Sequence, residues 1–261
     1  MTRHDRALLL PQEHGTYGEI LFPLIAALAI GSPGAGAWGI AVASLGGFLA
    51  HEGFVVLLGR RGGRARREQA RAAWRSLLGF GGIGLAGVWL AASGLGAEAW
   101  PWLALAAALS GLAILVAWSG RERTLGGEML AAIALSAWCV PTALAAGCPL
   151  RLALTLWAAW SLVFMVATCA VHVVIARSTR RPHLEPLAAG WLLAVGAPVA
   201  AALLEWSGAV PSGTTVVLLP SCVAAAVVLT APVTAHRLRD IGWSFIAVST
   251  VTLALMLGLL R

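Results

Sequence analysis

Nine apolar stretches of roughly 20 residues divide the chain, and short segments rich in glycine, proline or arginine separate them. A helix of about 20 residues crosses a hydrocarbon core of about 30 Å, so stretches of this length can span a bilayer. Breaks such as Gly31–Gly34 contain the residues that commonly end helices. The pattern predicts an all-α, polytopic membrane protein with nine transmembrane helices, near residues 16–31, 36–59, 71–94, 99–118, 125–147, 151–177, 185–206, 213–233 and 241–260.

The distribution of arginine tests this helix count independently. Sixteen of the 18 basic residues lie in the N-terminal tail or in every second loop, and only Arg151 and Arg261 lie on the other side. By the positive-inside rule, the N-terminus is cytosolic and the C-terminus is outside. The first helix is the shortest and contains Glu19, but leaving it out would destroy the alternation of charge.

Composition agrees with a single membrane domain that covers residues 1–261. The chain is 59% hydrophobic and 11% charged, which excludes an ordinary soluble core, and the loops are short. Its net charge of +7 comes from arginines beside apolar runs, so we attribute the charge to topology and expect no nucleic-acid partner. The four cysteines lack metal-ligand spacing and are predicted to be small core residues.

A repeated spacing of histidine and arginine suggests a duplication within this domain. His51 precedes Arg60 by nine positions, and His172 precedes Arg181 by the same interval. Both histidines lie at the predicted cytosolic ends of even-numbered helices. Helices 2–5 and 6–9 could therefore be two parallel repeats, an arrangement known in membrane proteins.

Ionisable residues inside a bilayer are costly and are candidates for function. Those furthest inside the predicted helices form the candidate catalytic centre: Glu19, His51, Glu52 and His172. Candidate substrate-binding residues surround them on the predicted cytosolic side: Arg60, Arg61, Arg177, Arg180, Arg181, His14 and Glu128. Arginines at helix ends suit phosphate groups, which accept charge-assisted hydrogen bonds. A structural role is the alternative for Glu128, at the positive end of its helix dipole, and for the loop arginines, which satisfy the topology rule.

The predicted architecture resembles that of the UbiA-type intramembrane prenyltransferases. The shared features are the nine helices, the cytosolic N-terminus and two loops with candidate functional residues, after helices 2 and 6. In that superfamily the two loops carry aspartate-rich motifs that hold Mg²⁺ and an isoprenyl diphosphate. The first motif would fall on residues 51–59, where only Glu52 is acidic and Val55 and Gly59 stand in place of aspartates. The second would fall on residues 172–179, which contain no acid. The resemblance covers the architecture; any retained enzyme activity would be a prenyltransferase-like transfer with a divergent diphosphate site.

Two further features carry a closer resemblance. The chain opens with the motif Pro11-Gln12-Glu13-His14-Gly15-Thr16-Tyr17-Gly18 before a short apolar helix. Its His51–Glu52 segment then runs into an arginine-rich loop. In both respects the chain is similar to the YwiC-like family of bacterial membrane proteins. This resemblance implies a multi-pass protein of the bacterial inner membrane, but it implies no established reaction.

Three functions remain open at this point. The leading hypothesis is the binding of an isoprenoid or lipid (di)phosphate, with Glu52, Glu19 or His14 as a base or as a Mg²⁺ ligand. The second is a transition-metal or haem site, for which His51, His172 and Glu52 supply suitable donor atoms. The third is a proton-coupled transporter that uses Glu19 and the histidines as protonation sites. The sequence leaves the substrate, any bound metal and the oligomeric state open.

Overall fold

A computed structural model of the chain describes residues 8–11, 14–179, 184–231 and 235–261. The described residues form ten α-helices and contain no β-strand. Short 3-10 helices, Ala97–Ala99 and Ala235–Arg237, lead into α4 and α10. In chain order the helices are α1 (His14–Ile30), α2 (Ala35–Leu57), α3 (Gly63–Ala92), α4 (Trp100–Trp118), α5 (Leu125–Ser136), α6 (Cys139–Ala145), α7 (Leu150–Ser178), α8 (Leu184–Trp206), α9 (Thr214–Thr230) and α10 (Leu238–Leu259).

The prediction of an all-helical protein is confirmed, and two boundaries differ from those expected. The fifth predicted helix is broken into α5 and α6, because Pro141 has no N–H to donate to the carbonyl of Ala137. α3 begins at Gly63 rather than near residue 71, so the arginine-rich segment is helical instead of a loop. Arginine, alanine and glutamate are all good helix formers, which favours this early start.

Seven helical segments of the described ranges are long and apolar enough to cross a membrane, with α5 and α6 counted together. Two shorter apolar helices, Gly15–Ile30 and Thr214–Thr230, correspond to α1 and α9. The chain is therefore a multi-pass membrane protein. The crossing of the bilayer by α1 and α9, the cytosolic N-terminus, the internal repeat and the UbiA-like arrangement remain predictions.

Glycines spaced seven residues apart bring α2 and α3 into backbone contact. Gly39, Gly46 and Gly53 recur about every two turns along one face of α2. A Cβ atom at Gly46 would lie 2.5 Å from the backbone nitrogen of Gly84, and one at Gly53 would lie 2.6 Å from the carbonyl oxygen of Ala73. A larger side chain does not fit there, so the two helices pack as a close antiparallel hairpin.

The core of the bundle is built around α7, which packs against α1, α5, α6, α8, α9 and α10. Trp160 of α7 is fully buried and stacks between Phe22 of α1 and Phe164, with ring centroids 5.5 Å apart in both pairs. These rings fix α1 against α7. The four cysteines are buried, which confirms that they are small core residues.

Candidate functional site

A tight reversal at the end of α2 presents two arginines side by side. The N–H groups of Gly59 and Arg60 donate back to carbonyls of the last turn of α2, at 2.9 and 3.2 Å. Gly59 has a φ of +78°, the left-handed conformation that ends helices in this manner and that glycine adopts without strain. Gly62, with a φ of +95°, completes the turn before α3 begins. Arg60 and Arg61 therefore lie at the tip of the α2–α3 hairpin.

The reversal folds Arg61 back onto Glu52 of α2. Nε and Nη2 of Arg61 donate to Oε1 and Oε2 of Glu52, and both distances are 3.0 Å. Glu52 is buried, so the arginine supplies the countercharge that a carboxylate needs at this depth. This forked geometry is the one that arginine forms with carboxylates and with phosphates alike. In this arrangement the Glu52 carboxylate is engaged by Arg61.

Arg60, the neighbouring residue, makes a different kind of contact. Its guanidinium carbon lies 5.9 Å from the ring centroid of Trp118, the last residue of α4. This cation–π contact connects the hairpin tip to the end of α4. The interaction is made with the π-electrons of a ring, so it does not by itself use the N–H donors of Arg60 as a hydrogen bond would. Arg60 is exposed at the arginine-rich end of the bundle.

An apolar groove runs between α1 and α2 on the surface of the bundle. It has a volume of about 390 Å³, and three of its lining residues, Leu21, Ile25 and Trp38, are exposed at the surface of the bundle. Its walls are almost wholly apolar, and we call it the α1–α2 groove. The groove is lined by Leu21, Leu24, Ile25, Leu28, Ala29, Trp38, Ala41, Val42 and Leu45.

Aromatic residues and the N-terminal segment lie between this groove and the arginine-rich end of the bundle. Tyr17 of α1 packs edge-on against Phe48 of α2, with ring centroids 5.2 Å apart. The Tyr17 hydroxyl donates to the carbonyl of Pro11 at 3.0 Å. The N–H of Leu9 donates to Oγ of Ser76 on α3 at 2.7 Å. Residues 8–11 therefore connect α1 with α3 near the level of the Glu52–Arg61 pair.

A second polar pair joins α5 to α7. Nε2 of His172 lies 3.0 Å from Oε2 of Glu128, and both side chains are only partly buried. Thr124 caps α5 by accepting a hydrogen bond from the N–H of Gly127 at 3.1 Å, which fixes the first turn in which Glu128 lies. Glu128 therefore has both the helix-end position expected of a structural acid and a contact with a predicted catalytic residue.

The remaining members of the predicted catalytic centre, Glu19 and His51, lie on α1 and α2. Glu19 lies three residues before Phe22 on α1, and its Oε2 atom is buried. His51 is partly buried and, as the residue before Glu52, points about 100° away from it around α2.

Arg177, a predicted substrate-binding residue, is engaged by the protein itself. Its Nη1 donates to the carbonyl of Ala231 at 2.9 Å, and its Nη2 donates to the carbonyl of Leu229 at 2.6 Å. These carbonyls lie at the C-terminal end of α9, and the last carbonyls of a helix have no partner within the helix itself. Arg180, Arg181 and the side chain of His14 lie outside the described residues.

No group of three or more histidine, cysteine, aspartate or glutamate side chains is placed to hold a metal ion among the described residues. Each polar pair joins two of the predicted residues: Glu52 with Arg61, and Glu128 with His172. The α1–α2 groove and both pairings were missed by the sequence reasoning. Only the interval between Glu52 and Arg61 was short enough to hint at a contact, and it depends on the reversal at Gly59.

Comparison with known proteins gives one match. A family model described as YwiC-like protein matches residues 10–143, just over half of the chain. The matched residues include the α1–α2 groove, the Glu52–Arg61 pair and Glu128, but not His172 or Arg177. No curated protein and no solved structure matches the chain.

Proposed function

This chain belongs to the YwiC-like family, and we propose that it binds a long-chain isoprenoid or lipid phosphate at its arginine-rich end. The apolar chain of the ligand occupies the α1–α2 groove, and the phosphate contacts Arg60 at the tip of the α2–α3 hairpin. The proposal includes the bacterial cytoplasmic membrane as the location, with the arginine-rich end facing the cytosol.

One observation carries this proposal: the same helix forms a wall of an apolar groove and ends in an arginine turn. The groove provides apolar surface that opens to the bilayer, and the turn provides donors for an anion. Ligands with one apolar and one anionic end need both features in line along the membrane normal. α2 supplies that alignment, because a helix that crosses the bilayer connects the hydrocarbon core to the headgroups.

The spacing along α2 sets the length of the ligand. Leu45, the groove residue nearest to the arginine turn, precedes Arg60 by 15 residues. At 1.5 Å per residue the 12 helical steps from Leu45 to Leu57 rise by about 18 Å, and the turn that follows leads to Arg60. A phosphate at Arg60 is therefore joined to the groove only by a chain of that length, such as a polyprenyl chain. A short chain such as farnesyl reaches the groove incompletely.

Arg60 and Arg61 have different parts in this proposal. Arg61 neutralises the buried Glu52 carboxylate through two hydrogen bonds. Arg60 contacts a tryptophan ring and retains its hydrogen-bonding capacity toward a phosphate. The substitution Arg60→Gln therefore tests phosphate binding, whereas a substitution of Arg61 would also leave a buried charge without its partner.

The test is the affinity of the detergent-purified protein for undecaprenyl phosphate, farnesyl phosphate and phosphatidylcholine, measured by native mass spectrometry. Removing a charge-assisted hydrogen bond costs about 1.5–3 kcal/mol, so Arg60→Gln should weaken undecaprenyl phosphate binding roughly tenfold or more. Val42→Trp, which fills the groove, should weaken the long-chain ligand more than the short one.

Two matched substitutions serve as controls. Arg64→Gln removes an exposed arginine that pairs with Glu68 on the next turn. Val223→Trp adds the same bulk at an exposed position of α9, away from the groove. Unchanged affinity in both Arg60→Gln and Val42→Trp, or equal affinity of the natural protein for phosphatidylcholine, would contradict the proposal.

A further inference from the structure

The first half of α3 carries arginines on the same face that is exposed and apolar in the second half of the helix. Arg64, Arg71, Leu78 and Leu85 lie seven residues apart, about two turns, and therefore share one face. All four are exposed, whereas the opposite face of α3 packs against α2 through glycine and alanine. The exposed face changes from apolar to basic in the interval between Leu78 and Arg71. A single face that is first hydrocarbon-compatible and then basic is expected where a helix leaves the bilayer.

The length of α3 places this change at the surface of the membrane. Trp74 lies 18 residues before the end of the helix at Ala92, which is a rise of about 27 Å and close to the thickness of the hydrocarbon core. Trp74 is exposed beside the basic residues, in the position of an interfacial tryptophan. The residues from Gly63 to Trp74 extend about 16 Å further, through the headgroup layer.

We propose that this segment of α3 is a binding site for anionic phospholipid headgroups. The site is separate from the α1–α2 groove and from Arg60, and it does not depend on the proposed function. Its core, which we call the α3 basic stripe, consists of Arg67, Arg71 and Arg75 with Trp74 beside them. The three arginines follow each other at intervals of four residues and are all exposed. Successive side chains at this interval are neighbours on a helix surface.

The charge and the height of the stripe both favour a lipid phosphate. Between residues 60 and 75 there are seven arginines against one acid, Glu68, and that acid is paired with Arg64 at 2.7 Å. Arg71 and Arg75 lie within about 5 Å of the level of Trp74, so their guanidinium groups reach the phosphate layer. Juxtamembrane arginines attract anionic lipids, and the strength of the attraction corresponds to roughly fivefold per residue near the surface.

The positive-inside rule explains why arginines lie on one side of the membrane. It does not specify which face of a helix the arginines occupy. An α-helix displaying arginine only for topology could place it on any solvated side. Here the three arginines lie above the lipid-exposed residues of the same helix, over Leu78 and Leu85, rather than above the bundle. The phosphates of the surrounding lipids are the anions that lie at that position.

The experiment compares lipid retention by the full chain in detergent, using native mass spectrometry with phosphatidylglycerol and phosphatidylcholine as probes. The natural protein should bind phosphatidylglycerol at least tenfold more tightly, and the preference should fall sharply when the salt concentration is raised. The triple variant Arg67→Gln/Arg71→Gln/Arg75→Gln should lose that preference. A matched triple variant removes three exposed arginines from other turns and should retain it: Arg121→Gln/Arg123→Gln/Arg239→Gln.

The outcomes separate this site from the proposed function and from other partners. The stripe variant should bind undecaprenyl phosphate as the natural protein does, whereas Arg60→Gln should keep the phosphatidylglycerol preference. A single variant, Arg71→Gln, serves if the triple variant does not fold, with a loss of about fivefold expected. Equal binding of both lipids, an equal loss in the two triple variants, or a stripe-dependent affinity for duplex DNA without lipid preference would overturn the inference.

Discussion

The Glu52–Arg61 pair gives the sharpest test of how the hairpin is held together. Arg61→Gln removes the guanidinium that donates two hydrogen bonds of 3.0 Å, and leaves a carboxylate whose side chain is only 10% exposed. Glu52→Gln removes the charge and leaves the arginine, whose side chain is 40% exposed and can turn to water. The first change should therefore destabilise the protein more than the second. The double variant should be more stable than Arg61→Gln alone.

The magnitude follows from these exposures. Breaking a fully buried pair costs about 3–5 kcal/mol, and exposed pairs are worth about 0.2–1 kcal/mol. With one partner buried and the other partly screened, we expect about 2 kcal/mol for Arg61→Gln and about 1 kcal/mol for Glu52→Gln. The double variant should cost about 1.5 kcal/mol, which leaves a coupling energy of about 1.5 kcal/mol.

The measurement is the free energy of unfolding in mixed detergent micelles for the natural protein and the three variants. The chain offers a matched cycle one turn away, Arg64 with Glu68, whose side chains are 85% and 58% exposed. That exposed pair should give a much smaller coupling energy, because water and salt screen the interaction. Additive effects of Glu52→Gln and Arg61→Gln, with no more coupling than the Arg64–Glu68 cycle, would refute the reasoning.

Two further predictions concern helix packing. Gly46→Leu should destabilise the α2–α3 hairpin by about 3 kcal/mol, the upper end of the usual cost of overpacking, because its Cβ would meet backbone atoms. Gly47→Ala, with open space around its Cβ, should be neutral or stabilise by up to about 1 kcal/mol. Thermal unfolding distinguishes these signs, and a similar loss of stability in both variants would contradict the close packing. Arg177→Gln should weaken the two bonds to the carbonyls of Leu229 and Ala231 and should speed amide hydrogen exchange in the last turn of α9, while unchanged exchange there would show that these bonds contribute nothing.

The all-helical character and the approximate positions of the helices could be predicted from the sequence, because apolarity is a local property. A bilayer demands that the backbone satisfy its own hydrogen bonds over a fixed thickness, so apolar length alone nearly determines where helices occur. The early start of α3 was missed, because an arginine-rich sequence is equally compatible with a loop. The position of the break before Pro141 was not predicted, because one proline does not fix where a helix is interrupted.

The candidate site was predicted as a set of residue types, and the tertiary structure decided their partners. Glu52 and His172 stood out because ionisable groups are rare in apolar helices. Their partners depend on distant events: a left-handed glycine returns Arg61 to Glu52, and the packing of α5 on α7 brings Glu128 to His172 across 44 residues. Such contacts depend on helix rotation and depth, which apolar patterns constrain only weakly.

The α1–α2 groove is the clearest example of a feature that only the tertiary structure decides. Its lining residues are ordinary apolar side chains that the sequence could assign to a helix but not to a groove. The groove exists because α2 packs tightly on α3 through glycine and only loosely on α1. The sequence by itself determined that these segments are helices in a membrane, since that depends on local apolarity. Which helix surfaces meet and which stay open to lipid was decided only by the fit between surfaces far apart in the chain.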